Sequence, residues 1–288
     1  MLLTYLQQSP TFLISVVFVL GLLVGSFLNV VIYRLPVMMQ SSWKRECQEY
    51  LQLPTEQPTE PFNLNWPGSH CPVCKTEIKA YQNIPILSYI FLRGKCAHCS
   101  APIPLRYPMI EALSGLCSAL IAWHFGYGSA MVFALMLTWS LIALSFIDID
   151  HQLLPDTITL PMLWLGLFLS LFSIYTDSQA SIVGAVAGYL SLWSIYHLFK
   201  LLTGKEGMGY GDFKLLALLG AWMGWHYLPL IILLSSLVGA VIGIGMVLFR
   251  QHDASRPIPF GPYLAAAGWL AMIWGDNINR LYLDSIGL

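Results

Sequence analysis

Few of the 288 residues carry charge: Asp, Glu, Lys and Arg together make up 10%, against about 25% in an ordinary soluble domain. A chain of this length needs more polar surface than that to enclose a core in water. The scarcity excludes a soluble globular enzyme, a disordered chain and a nucleic-acid binder with a basic face. No Lys or Arg falls between Arg106 and Lys200. None precedes the first long apolar run, residues 12–32, which is also too long for a cleaved secretory signal. The alternation over roughly 10-residue segments that marks a membrane β-barrel is missing. So is a Gly-x-Gly-x-x-Gly after a strand, the mark of a Rossmann-type cofactor site.

What remains is apolar. Hydrophobic residues make up 57% of the chain, and mean hydropathy is +0.66. A spanning helix needs about 20 apolar residues. Eight runs qualify or nearly so: residues 12–32, 110–125, 131–147, 158–175, 182–199, 213–225, 228–249 and 262–274. The expected fold is an all-α polytopic membrane protein of about eight transmembrane helices. The run after Asp212 is short, but fusing it with the next would make a span far too long for one helix.

The few basic residues set the orientation. Eight of the 14 lie between Arg34 and Arg106. With that segment in the cytoplasm and eight spans threaded, Lys200, Lys205, Lys214, Arg250 and Arg256 also fall inside. Thirteen of the 14 then obey the positive-inside rule, all but Arg280. The chain divides into a first span (1–34), a small cytoplasmic domain (35–106) and a seven-span membrane domain (107–288). The Pro/Glu/Gln-rich stretch 49–61 reads as an irregular linker. A domain of about 70 residues with few large apolar side chains needs a staple to fold.

The cysteines supply one. Cys71-Pro-Val-Cys74 and Cys96-Ala-His-Cys99 are two C-x-x-C knuckles, 21 residues apart. Four thiolates at this spacing suit a closed, tetrahedral structural zinc. Two disulfides are the other reading, and a cytoplasmic location argues against them. His70 and His98 flank the knuckles, but four cysteines already complete the shell.

Ionisable groups inside spans are costly and mark functional sites. Asp148 ends the third run; Asp150, two residues on, points some 200° away on a helix, so only one of them faces the bundle interior. Asp156 follows Pro155 and suits a helix N-cap. Gly207-Met-Gly209-Tyr-Gly211-Asp212 opens the sixth run. Three glycines at alternate positions make a poor helix, but let Asp212 approach something closely. Two carboxylates at one membrane face that come close cannot both ionise easily and share a proton. One then acts as base on water while the other polarises a carbonyl, as in aspartic proteases. The residues alone leave an aspartyl hydrolase and a proton-coupled transporter equally open. Gly21 and Gly25 form a small-xxx-small pair for close helix packing, with Asn29 as polar glue. Glu111 lies near the same face.

These motifs, in order, carry a resemblance over nearly the whole chain. The segment from Gly25 to Pro36, both knuckles, Leu92-Arg-Gly-Lys-Cys96, Arg106-Tyr-Pro-Met-Ile-Glu111, Asp148-Ile-Asp-His-Gln-Leu-Leu-Pro155 and Gly209-Tyr-Gly211-Asp212 together resemble the type IV prepilin peptidases. These are bifunctional leader peptidases and N-methyltransferases. The last motif is the G-x-G-D of the intramembrane aspartyl proteases. The resemblance implies catalytic aspartates at Asp148 and Asp212. It implies a prepilin or pseudopilin substrate of a type IV pilus or type II secretion system, cleaved at the cytoplasmic face of the bacterial inner membrane. The new N-terminus, typically Phe, would then be methylated from S-adenosylmethionine. Methyl transfer enters only through the resemblance, which points to the cytoplasmic domain and first span, with Gly94 and Glu111 as the candidate methyl-donor residues.

Overall fold

The computed structural model describes residues 2–54, 62–248 and 259–286. Residues 55–61 of the predicted linker, together with Arg250 and Arg256, lie outside the described residues. Among the described residues the only extended pairing is two isolated β-bridges. The helices are α1 (Leu2–Gln8), α2 (Pro10–Tyr50), α3 (Leu87–Phe91), α4 (Arg106–Phe125), α5 (Ser129–His151), α6 (Asp156–Ser170), α7 (Ser178–Thr203), α8 (Tyr210–Met223), α9 (Leu228–Leu248) and α10 (Gly261–Ile286). Each of the eight apolar runs overlaps one of these helices, though the run 158–175 outlasts α6, which ends at Ser170, and the run 213–225 outlasts α8, which ends at Met223. Five, namely α2, α4, α5, α7 and α9, have the length and apolarity to cross a membrane alone. The chain is a multi-pass membrane protein that divides into two compact units, Met1–Met131 and Val132–Leu288.

In the first unit α2 packs along α4, and the small pair is the reason. A Cβ on Gly25 would sit 2.8 Å from the Glu111 Cα, and one on Gly21 would sit 2.9 Å from the Gly115 Cα. Lipid tails are as apolar as leucine, so close packing and interhelical hydrogen bonds hold such helices together. Ser114 Oγ donates to the Gly21 carbonyl at 2.7 Å, and Asn29 Nδ2 donates to the Tyr107 carbonyl at 3.2 Å. Asn29 is packing glue, as its position in the run implies.

Helix α2 does not stop at Arg34. It continues through Pro36 to Tyr50. Pro36 removes one intrahelical hydrogen bond, but the following stretch is rich in Met, Gln, Lys, Arg and Glu, which favour helix. Ser42 Oγ also donates to Glu46 Oε1, one turn on, at 3.1 Å. The 41 residues rise about 60 Å, twice the roughly 30 Å of a hydrocarbon core.

In the second unit α8 is the central helix. Eleven of its 14 residues are buried, Asp212, Phe213 and every position from Leu215 to Met223. A helix that is apolar all round belongs inside a bundle. Trp222 Nε1 donates to the Met162 carbonyl of α6 at 2.7 Å, and Ser181 Oγ of α7 donates to the Ala221 carbonyl at 2.6 Å. Gly184 of α7 and Gly220 of α8 face each other so closely that a Cβ on either would run into the other's carbonyl.

Candidate active site

Helix α5 buries Leu137, Leu141, Leu144 and Ile147, a spacing that places Asp148 on the same inward side. Asp148 is 6% exposed, whereas Asp150 faces outward, as the offset of two residues demands. Asp212 is the third residue of α8 and is also 6% exposed. Leu154 lies against both Gly211, which directly precedes Asp212, and Gly261, whose N–H binds Asp148, so the two carboxylates share one neighbourhood. They come from different helices, brought to one end of the bundle.

Backbone hydrogen bonds fix the Asp148 side chain and the Asp212 main chain. Gly261 N–H, at the start of α10, donates to Asp148 Oδ2 at 3.0 Å. Asp212 N–H donates to the Gly209 carbonyl at 3.3 Å. Gly209 is the N-cap of α8 with ordinary extended dihedrals, and Gly211 lies within the helix. The glycines of the motif therefore serve space rather than unusual backbone angles. A Cβ on Gly211 would sit 2.7 Å from Leu154 Cβ. A Cβ on Gly261 would sit 2.7 Å from Asp148 Oδ2 and 3.2 Å from Leu154 Cδ2. Leu154 thus wedges against the segment that carries Asp212 and against the glycine that holds Asp148. Tyr210 anchors the motif, its ring centroid 5.4 Å from those of both Tyr196 and Phe213.

Neighbouring lysines are engaged elsewhere. Lys214, two residues after Asp212, places its ammonium 2.7 Å from both Asp156 oxygens. Pro155 holds the α6 N-cap position instead of Asp156, which is the first helical residue. Lys200 pairs with Glu206 at 2.7 Å, and its hydrogen bond holds the Glu206 carboxyl below the usual range. Exposed pairs of this kind add little stability.

In the first unit the two knuckles share one backbone design. Cys71 N–H donates to the Thr76 carbonyl and Lys75 N–H to the Cys71 carbonyl, both at 2.9 Å. Cys96 N–H donates to the Ala101 carbonyl at 2.8 Å and Ser100 N–H to the Cys96 carbonyl at 3.0 Å. Lys75 and Ser100 take positive φ at equivalent positions, 59° and 57°. The four sulfurs lie within 4.8 Å of one another. Cys71 and Cys99 Sγ are 3.8 Å apart, and those of Cys74 and Cys96 4.0 Å. A tetrahedron with arms of about 2.3 Å has edges of about 3.8 Å, so the sulfur positions fit a four-coordinate metal. Thr76, through its hydroxyl and amide, lowers the Cys74 thiol to about 6. Amides of Cys99 and His98 also lower Cys96. At Cys99 the Ala101 amide acts the same way, but desolvation and the other thiols outweigh it and push the group up to about 11. Such a cluster gathers negative charge that a cation neutralises. His70 Nδ1 lies 3.1 Å from the Gly68 carbonyl, and neither His70 nor His98 joins the sulfur group.

Glu111 is 8% exposed. Its Oε2 accepts Ile86 N–H at 2.8 Å, and the Ser26 side chain also bonds it. Ile86 has φ 60°, an outlier for a β-branched residue, so Glu111 fixes a strained turn. Gly94 has φ 67° with a Cβ position 2.8 Å from Tyr89 Oη. Its amide and carbonyl bond Tyr89 and Ile103, so it shapes the loop before the second knuckle. Arg34 is buried, and its guanidinium donates to the carbonyls of Asn63, Leu64 and Pro67 at 2.9, 3.4 and 2.6 Å. Sequence reasoning missed this clamp and missed Gly261.

The family model of the bacterial peptidase A24 N-terminal domain matches residues 19–125, and that of the type IV leader peptidase family matches residues 135–244. Over 97% of both chains, the sequence is 55% identical to a prepilin leader peptidase/N-methyltransferase of Stutzerimonas stutzeri. The chain belongs to the type IV leader peptidase family. Relatives of the same printed name in Pseudomonas aeruginosa and Legionella pneumophila are 54% and 44% identical, over 99% of both chains and over 95% and 96%. No solved structure matches significantly. The leader peptidase match includes Asp148 and Asp212; Gly261 lies beyond it.

Proposed function

We propose that this chain removes the leader from prepilins or pseudopilins and methylates the newly exposed N-terminal residue. The observation that carries the peptidase half is the pair of buried carboxylates, Asp148 and Asp212, on two helices at one end of the bundle. One aspartate, ionised, takes a proton from water as the water attacks the scissile carbonyl. The other, protonated, donates a hydrogen bond to the carbonyl oxygen and then delivers a proton to the leaving amine. The extended backbone at Gly209 leaves room for a substrate strand beside Asp212. The site faces the cytoplasm of a bacterial inner membrane, by the positive-inside sorting of the basic residues. A proton-coupled transporter gains no support from the fold, the site or the relatives.

The segment 35–106 is the cytoplasmic domain, and Cys71, Cys74, Cys96 and Cys99 hold a structural zinc there. Zinc supplies cross-linking of the two knuckles, not chemistry at the peptide bond. Membrane segment 107–288 carries peptidase chemistry, and 1–34 is the first span. S-adenosylmethionine supplies an electrophilic methyl group. Glu111, a buried carboxylate, fits a ligand with sulfonium and ammonium charge and would hold it, while Gly94 shapes the loop before the second knuckle.

The test is direct. Purified protein in detergent, given a prepilin and S-adenosylmethionine, yields a mature chain one methyl heavier at its N-terminus by mass spectrometry. Uncleaved prepilin sinks the peptidase half; a cleaved but unmethylated product sinks the other.

The Gly261 contact yields a sharper result. Gly261→Ala keeps the N–H but drives a methyl into Asp148. Displacing a catalytic group by about 1 Å costs on the order of 10²-fold, and a loss of that order in kcat/KM for leader cleavage is expected. Helix content and thermal midpoint in detergent check that the variant is folded. An unchanged rate would show that the Asp148 position tolerates the methyl.

A further inference from the structure

A cleft runs along the second unit between α7 and α9. These helices flank it without packing along each other; α7 rests on α6 and α8, and α9 on α10. It comprises two cavities of about 340 and 600 Å³ that share Ile232 and Ser236. One end lies at Trp225 and Leu228. The other is closed by Met208, Phe260 and Tyr263.

That second end abuts the carboxylates. Met208 directly precedes Gly209, whose carbonyl binds Asp212 N–H. Phe260 directly precedes Gly261, whose N–H binds Asp148. Each glycine that bonds an aspartate residue is therefore the next residue along the chain from the cleft wall. The walls are apolar, with small residues on both sides: Ala187 and Ser191 on α7, and Ser236, Gly239 and Ala240 on α9. Small residues let another helix approach closely.

We propose that this cleft seats the apolar membrane helix of the prepilin substrate, with the scissile bond delivered to Asp148 and Asp212 at its end. The proposal rests on the peptidase reading above. It gives that reading a binding site for the part of the substrate that is not cut. The occupant is a helix because the cleft is long, apolar, lined by small residues and continuous with the catalytic end. The extended leader then leaves the cleft past Gly209.

Gly239→Leu tests it. A Cβ there already reaches 3.3 Å from Tyr263 Cδ2, so a leucine fills the end of the cleft. The probes are a full-length prepilin and a soluble peptide carrying the leader and only the first turn after the scissile bond. The expected result is that the preference for the full-length chain, as a ratio of kcat/KM values, falls about tenfold, the scale of an overpacked contact. A ratio equal to that of the unmodified protein overturns the proposal and leaves the cleft to lipid. If Gly239→Leu does not fold, Ser236→Cys in an Asp212→Asn background replaces it. Oxidation should then cross-link it to a single cysteine in the prepilin helix, and failure at every helix position overturns the proposal. Should the unmodified protein cleave neither probe, the peptidase reading itself fails and the proposal with it.

Discussion

Asp148→Asn and Asp212→Asn each lower kcat/KM for leader cleavage by about 10⁴-fold or more, the scale of removing a member of a catalytic pair. Asparagine keeps the size of aspartate and can still accept the Gly261 N–H, so the helices stay packed and the thermal midpoint moves little. It cannot take a proton from water, nor hand one on. The loss therefore falls on kcat rather than on binding of the apolar substrate. The double variant should be scarcely worse than either single one, because the two groups act as a unit. Methylation of a prepilin whose leader has already been removed continues in both variants, because Glu111, the residue proposed to hold the methyl donor, lies in the other compact unit. Cleavage by either variant at the unmodified rate overturns the aspartyl mechanism.

The second large effect concerns the metal. Cys71→Ser and Cys96→Ser each remove one of the proposed zinc ligands, from different knuckles. Losing a partner outside the ligand shell already costs up to about 10²-fold in affinity, and losing a ligand costs more. Purified variants should therefore carry less than a tenth of the zinc of the unmodified protein by elemental analysis, roughly the level such a loss implies. Residues 69–103 then become open to limited proteolysis, because the backbone bonds around Cys71 and Cys96 close only two short turns. His70→Ala and His98→Ala keep their zinc. Stoichiometric zinc in the cysteine variants would refute the site.

Much of this site was legible in the chain itself, and what was legible shares a property. The knuckles, the Gly-rich approach to Asp212 and the Gly21–Gly25 pair are local patterns whose chemistry follows from spacing. The offset between Asp148 and Asp150 likewise told which carboxylate turns inward. What escaped comes from groups with no side-chain signature. Gly261 acts through a backbone N–H, 113 residues from its partner. Arg34 is held by three carbonyls, which any residues supply. The first span was expected to end at Arg34, yet the helix-forming residues after Pro36 carry α2 on to Tyr50. The purpose of the glycines before Asp212 was only half visible, since the close neighbour at Gly211 is Leu154, from another connection.

Helix α8 carries a final consequence. Its 14 residues rise about 21 Å, while a hydrocarbon layer is about 30 Å deep. A helix enclosed by its neighbours escapes the thickness rule that lipid-facing helices obey. Outside its 14 residues the chain leaves the regular helical pattern, at the Gly207–Gly209 approach on one end and at Gly224 on the other. Bare backbone at such depth survives only inside protein or beside water. The shortness of α8 thus leaves Asp212 where the regular helix begins, beside peptide groups that the surrounding helices must enclose.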